Sequence, residues 1–116
     1  MEFYGYKKCS TCRNAHKFLA DHGVDVPFQD FVQNPPSVEQ LKAWIAKRNE
    51  GVLPFVNTKG TRYRELNLAD KQLSEAEWLD LLSTDGKLLK RPVLVTDEEV
   101  VLGFDRPAYE RIVTAK

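Results

Sequence analysis

The sequence predicts an α/β fold with a mixed sheet, in the order β-α-β, a helical block, then β-β-α. Three observations carry this. A short aromatic run at the start gives way to helical spacing and then to a second alternating run within about thirty residues, the size of a β-α-β unit. Two Ser-x-x-Gln/Glu signatures mark helix starts in the middle of the chain. Near the far end, "RPVLVTDEEVVLGF" has the form of a β-hairpin. At 116 residues the chain is long enough to bury one core without cross-links. The expectation is a single domain, 1–116, with the helical block, about 35–86, inserted in it.

Taken in order, Glu2 to Tyr6 read as a strand. From Thr11 or Cys12 the pattern turns helical: Ala15, Phe18 and Leu19 stand at i, i+3 and i+4, and Gly23 suits a helix C-cap. Val24, Val26 and Phe28 alternate as a second strand, which Pro27 marks as an edge or a bulge. "NPPS" breaks the chain, Ser37 and Gln40 form a capping box, and Val38, Leu41, Trp44 and Ile45 line one helix face. Residues 50–63 are less regular, and "RELNLAD" predicts a short helix or turn. Ser74 and Glu77 make a second capping box ahead of Trp78, Leu79, Leu81 and Leu82, and Asp85-Gly86 ends that helix. The apolar stripes of both helices are core faces. Val93–Val95 and Val100–Leu102 flank a turn at Asp97-Glu98. Asp105 and Pro107 then open a last helix carrying Tyr109, Ile112 and Val113. There is no repeat, low-complexity tract or linker.

Composition excludes several function classes. Lys plus Arg equal Asp plus Glu at 17 each, so no net field draws the chain to nucleic acid or to an anionic membrane. No apolar run approaches a membrane span, and "MEFYGYKK" enters a strand without an apolar leader, so a cytoplasmic location is expected. In a reducing compartment a close cysteine pair is catalytic or metal-binding more often than a permanent disulfide.

That pair, Cys9 and Cys12 in "KKCSTC", is the only one in the chain and sits where the first strand turns into the first helix. A thiol attacks as its thiolate. Placed just before a helix, Cys9 faces unsatisfied backbone N–H groups, and Lys7, Lys8 and Arg13 add positive charge. Both effects lower its pKa. Cys12, about one helical turn on, is placed to resolve a mixed disulfide formed at Cys9. Two small apolar residues can also meet on a helix by chance, but the strand-to-helix position favours redox chemistry. Adding His16 and His22 gives C-x2-C-x3-H-x5-H. All four side chains would then lie on one short stretch, which cannot easily surround an ion tetrahedrally, so no metal is expected. The absence of a nucleotide-binding glycine motif argues against an organic cofactor.

Arg91-Pro92 opens the first hairpin strand. In the β-α-β…β-β-α layout of a thioredoxin-like fold, a cis-proline at that point faces the cysteine pair. Arg91 would then present a fixed cation to a thiolate or an anionic substrate. Arg106, at the start of the last helix, could reach the same region; the alternative for both arginines is a solvated surface role.

"YGYKKCSTCRNAHKFL", "RELNL", "KRPVLV" and "VLGFD", in this order, resemble the arsenate reductase/Spx family of thioredoxin-like proteins over nearly the whole chain. The resemblance implies a thioredoxin-like sheet with a helical insertion. It carries the family's catalytic cysteine onto Cys9, its arginine before the proline onto Arg91, and a late arginine of glutaredoxin-dependent arsenate reductases onto Arg106. The anion-binding arginine of the middle segment falls near Asn57, with Lys59 close by. Arg91, Pro92, Arg106 and Asn57 are thus the substrate-side candidates.

Two functions follow from the resemblance. One is a thiol-dependent oxidoreductase acting on a disulfide or small oxyanion, with Cys9 as nucleophile and Cys12 as resolving thiol. Glutathione, glutaredoxin or thioredoxin would be its electron donor, and no bound cofactor is needed. The other is a redox-switched, Spx-like transcriptional regulator that binds the RNA polymerase α subunit without touching nucleic acid itself. Regulators of that kind also carry CxxC, and Gly51 stands near the place where they use a glycine to contact the polymerase.

Overall fold

The aromatic run at the start forms strand β1, Glu2–Gly5. Helix α1, Ser10–Asp21, follows after a tight turn, and strand β2, Phe28–Asp30, runs parallel to β1. Near the other end the expected hairpin is strands β3, Val93–Val95, and β4, Val100–Leu102, with Thr96 closing the turn on both sides. Its hydroxyl accepts from the N–H groups of Glu98 (3.2 Å) and Glu99 (3.0 Å). Strand β3 pairs antiparallel with β1, giving a mixed four-stranded sheet in the order β2-β1-β3-β4. This computed structural model describes residues 1–115 and separates into two units, one of Met1–Asp30 with the chain from Arg91 onward, the other of Phe31–Lys90.

Register decides what the first unit buries. Phe28, Phe3, Leu94 and Val101 are successive partners across the sheet, so their side chains share one face. Against that row pack Ala15 and Leu19 of α1 with Tyr109 and Ile112 of the last helix, α5 (Arg106–Thr114), in one buried cluster. Asp105 caps α5 by accepting from the Ala108 N–H at 3.3 Å, with Pro107 in the first turn. Gly23 follows α1 with a φ of +82°, the left-handed conformation that favours glycine.

The second strand is shorter than its alternation predicts. Val24 and Val26 are buried in the same cluster, yet only Phe28–Asp30 pairs, opposite Phe3, Tyr4 and Gly5. Period-2 burial here reflects an extended segment laid over the core before it joins the sheet.

The Phe31–Lys90 unit holds helices α2 (Val38–Arg48), α3 (Thr61–Glu65) and α4 (Glu75–Thr84), linked by single 3₁₀ turns. Both expected capping boxes are present. Ser37 and Gln40 exchange bonds of 3.1 Å, and Ser74 and Glu77 do so at 3.0 and 3.2 Å. The unit buries Leu41, Trp44, Phe55, Trp78 and Leu82, with Trp44 stacked on Phe55 at 6.5 Å. Residues 61–65, where the sequence is least regular, form a full helical turn anchored by an Arg62–Asp85 ion pair.

Candidate functional site

Cys9 is the N-cap residue of α1, in extended backbone conformation (φ −93°, ψ 117°). Its own N–H donates to the Tyr6 carbonyl at 2.9 Å, which closes the turn between β1 and the helix. The sulfur is half-buried. Its side chain forms no closed cap bond, so the Cys12 N–H acts on it at longer range. Cys12, inside the first turn, is fully buried. The Tyr6 N–H reaches its sulfur at 3.5 Å.

The room for Cys12 comes from Gly5. A Cβ at that position would stand 2.9 Å from the Cys12 sulfur, 3.1 Å from its Cβ and 3.3 Å from the Phe28 ring. Only a residue without a side chain lets the end of β1 approach the first turn of α1 this closely.

Arg91 arrives from the other end of the chain through sheet register. Tyr4 pairs with Val93, and two further antiparallel steps bring Tyr6 opposite Arg91. The guanidinium lies over the Tyr6 ring, 5.3 Å from its centroid. The Arg91-Pro92 peptide is cis. Pro92 is fully buried, and its carbonyl accepts from the Gly103 N–H at 2.8 Å, tying the start of β3 to the end of β4.

These neighbours set the two thiols apart. Burial alone would raise the Cys9 pKa. That is outweighed by hydrogen bonding from the Cys12 thiol and N–H and by the hydrogen bond and positive charge of Arg91, so the Cys9 thiol is held below its ordinary value. Cys12 is pushed up to about 12, chiefly by burial and further by the hydrogen bond and charge of Cys9, against the opposing Tyr6 N–H. The two thiols are therefore shifted in opposite directions, Cys9 down and Cys12 up.

Positive charge was expected both from Lys7, Lys8 and Arg13 and from Arg91, and of these the structure puts Arg91 on the thiol. Arg13 donates to the Lys7 carbonyl at 2.8 Å, the Lys7 backbone N–H donates to the Asp30 carboxylate at 3.2 Å, and the Lys7 and Lys8 side chains are exposed. The cation acting on Cys9 is Arg91. Arg106 belongs to the same unit. Its guanidinium covers the rings of Phe18 (5.0 Å) and Phe104 (5.5 Å) and approaches Glu110 at 3.9 Å. Asn57 belongs to the Phe31–Lys90 unit, where its N–H donates to the Leu88 carbonyl at 2.8 Å.

Both histidine rings are engaged in local hydrogen bonds. His16 Nε2 bonds the Val26 carbonyl at 2.7 Å with its ring against Phe3 and Phe28, and His22 Nδ1 bonds the Phe18 carbonyl at 2.8 Å. Among the described residues no three His, Cys, Asp or Glu side chains are grouped to hold a metal ion.

Three residues of the site escaped the sequence reading: Gly5, Tyr6 and Tyr109. A glycine inside a strand beside the cysteine motif is a known sign of close approach and could have drawn attention to Gly5. Tyr109 fits the core face of α5 as expected. Its hydroxyl is in addition buried without a hydrogen-bond partner among the described residues, and its pKa is raised chiefly by burial.

The profile of the ArsC family matches residues 4–112. The chain is 44% identical over 112 residues to "Uncharacterized protein YusI" of Bacillus subtilis, covering 95% of each chain. It is 30% identical over 105 residues to "Regulatory protein MgsR" of the same organism, covering 90% of this chain and 83% of that one. The crystal structure of "a possible arsenate reductase" from Streptococcus mutans superposes with a TM-score of 0.83 at 42% identity, over 96% of this chain and 95% of the other. Mixed sheet, flanking helices and cysteine-bearing first turn are those of a thioredoxin-like fold, and the chain belongs to the ArsC family.

Proposed function

We propose that this protein is a thiol-dependent reductase in which Cys9 is the nucleophile and Cys12 the resolving thiol. The observation that carries the proposal is the asymmetry of the pair: a half-buried thiol held acidic beside Arg91, next to a buried thiol pushed up to about 12.

The chemistry follows from that asymmetry. The Cys9 thiolate attacks one sulfur of a disulfide. A Cys9–S–S–R bond forms, the original S–S bond breaks, and the second half leaves as a thiolate that takes a proton from water. Cys9 has then lost its negative charge, and with it one of the causes that hold the Cys12 proton in place. Cys12 gives up that proton to solvent, aided by the Tyr6 N–H at its sulfur, and attacks Cys9. The second thiolate departs and the Cys9–Cys12 disulfide remains. An external thiol donor (glutathione, glutaredoxin or thioredoxin) returns two electrons and two protons, which suits a reducing, cytoplasmic setting.

Arsenate is the weaker substrate in this reading. Holding a small oxyanion against sulfur needs several cations, and Asn57 stands where the family's middle arginine is expected. The test is an NADPH-coupled assay offering a small disulfide and arsenate in parallel, with glutathione/glutaredoxin or thioredoxin as donor. Disulfide turnover lost in Cys9→Ser is the expected result. Robust arsenate turnover lost in Cys9→Ser and in Arg91→Ala would make the oxyanion the substrate instead.

The likeness to MgsR favours one second reading, a redox-switched regulator that docks on the RNA polymerase α subunit without contacting nucleic acid. A pull-down of that subunit by only the oxidised or only the reduced protein, with no turnover in the coupled assay, would select it.

A further inference from the structure

Tyr6 touches both halves of the thiolate centre. Its carbonyl accepts the Cys9 N–H at 2.9 Å, and its ring lies under the Arg91 guanidinium at 5.3 Å. Both contacts are dictated by place in the chain. Tyr6 is the first residue past β1, where the turn to α1 begins and where antiparallel register delivers Arg91 from β3.

We propose that Tyr6 is a positioning residue: its ring holds the Arg91 guanidinium in place beside Cys9. This rests on Cys9 being the nucleophile and Arg91 its cation. An arginine side chain is long and has many rotamers, and each contact along it narrows the set. An aromatic face beneath the guanidinium attracts the cation through the ring quadrupole. An aromatic face occupies none of the guanidinium N–H donors, which lie in the plane at its edge. The ring therefore holds Arg91 without competing for the donors that act on the sulfur. The same clamp would present those edge donors to the leaving thiolate of a substrate.

The test is the pH dependence of Cys9 alkylation by iodoacetamide in the full-length reduced protein, with peptide mapping to assign the site. The variants are Tyr6→Phe, Tyr6→Leu, Arg91→Ala and the Tyr6→Leu/Arg91→Ala double. Arg91→Ala should raise the Cys9 pKa. Tyr6→Leu should raise it by about half a pH unit, a roughly threefold lower thiolate fraction below the pKa, whereas Tyr6→Phe keeps the ring and stays near wild type. The double variant should match Arg91→Ala, because the ring acts through the guanidinium. A Tyr6→Leu protein with the wild-type pKa, or shifts that add in the double variant, would overturn the positioning role while leaving the nucleophile intact. An unchanged pKa in Arg91→Ala would remove both this role and that of Arg91. Should Tyr6→Leu melt early, Tyr6→Met asks the same question with a flexible side chain.

Discussion

Gly5→Ala adds one methyl group at the most crowded point beside the candidate site. Its carbon would sit 2.9 Å from the Cys12 sulfur and 3.1 Å from the Cys12 Cβ, with the Phe28 ring at 3.3 Å on the other side. Cys12 cannot retreat, being fully buried on a helix whose next inward residue, Ala15, is also fully buried. Forcing an extra methyl into a close-packed core costs about 1–3 kcal/mol. Restricting the unfolded chain offsets about 0.4–1 kcal/mol of that. The net loss is then about 1–2 kcal/mol. With an unfolding entropy of about 2.1 cal/mol/K per residue over 116 residues, the melting temperature should fall by about 4–8 °C.

The assay is a double-mutant cycle in urea with Cys12→Ala as the second change. Removing the sulfur should abolish most of the cost of the added methyl, giving a coupling of about 1 kcal/mol or more. Displacing the sulfur of Cys12 should also slow release of a mixed disulfide more than its formation at Cys9. A Gly5→Ala protein as stable as wild type, with additive behaviour in the cycle, would refute the close approach of β1 to α1.

Two further outcomes follow from the same site. Cys12→Ser should still form a mixed disulfide with glutathione but release it slowly, whereas Cys9→Ser should form none at an appreciable rate; mass spectrometry of quenched samples reads both. The reduced protein should also lose stability in alkali. The folded state keeps the Cys12 proton up to about 12, while the unfolded chain gives it up near the ordinary thiol value of about 8.5. The folded state therefore binds more protons above that value, and stability falls as pH rises. Cys9 has the opposite sign: its lowered pKa adds stability that is complete above about 8.5 and is lost as pH falls through its folded value. Urea melts of Cys12→Ala should show a flatter decline between about pH 8.5 and 10.

Local chemistry made most elements legible in the sequence. The capping boxes at Ser37 and Ser74, the Thr96 hairpin turn and the Asp105-Pro107 helix start are each set by residues within four positions of one another. The second strand is shorter than its pattern predicts because burial of Val24 and Val26 has the same period as strand pairing, and only contact with β1 separates the two. The cysteine pair was readable as a motif. Arg91 was readable as its cation only through the proline motif that opens the hairpin, because sheet register delivers it from more than eighty positions away and nothing local marks it. Gly5 and Tyr6 carry little local signal for the same reason: what they do depends on what the fold brings against them.

The central claim is that one thiol of the pair is an acidified nucleophile and the other a buried, protonated resolver. It is tested most directly by alkylating the reduced protein with substoichiometric iodoacetamide across a pH series and mapping the modified peptide. Cys9 should be modified first, with an apparent pKa below that of a free thiol, about 8.5, while Cys12 stays unmodified as long as the fold holds. An apparent pKa for Cys9 at or above that value, or equal rates at the two cysteines, would contradict the account.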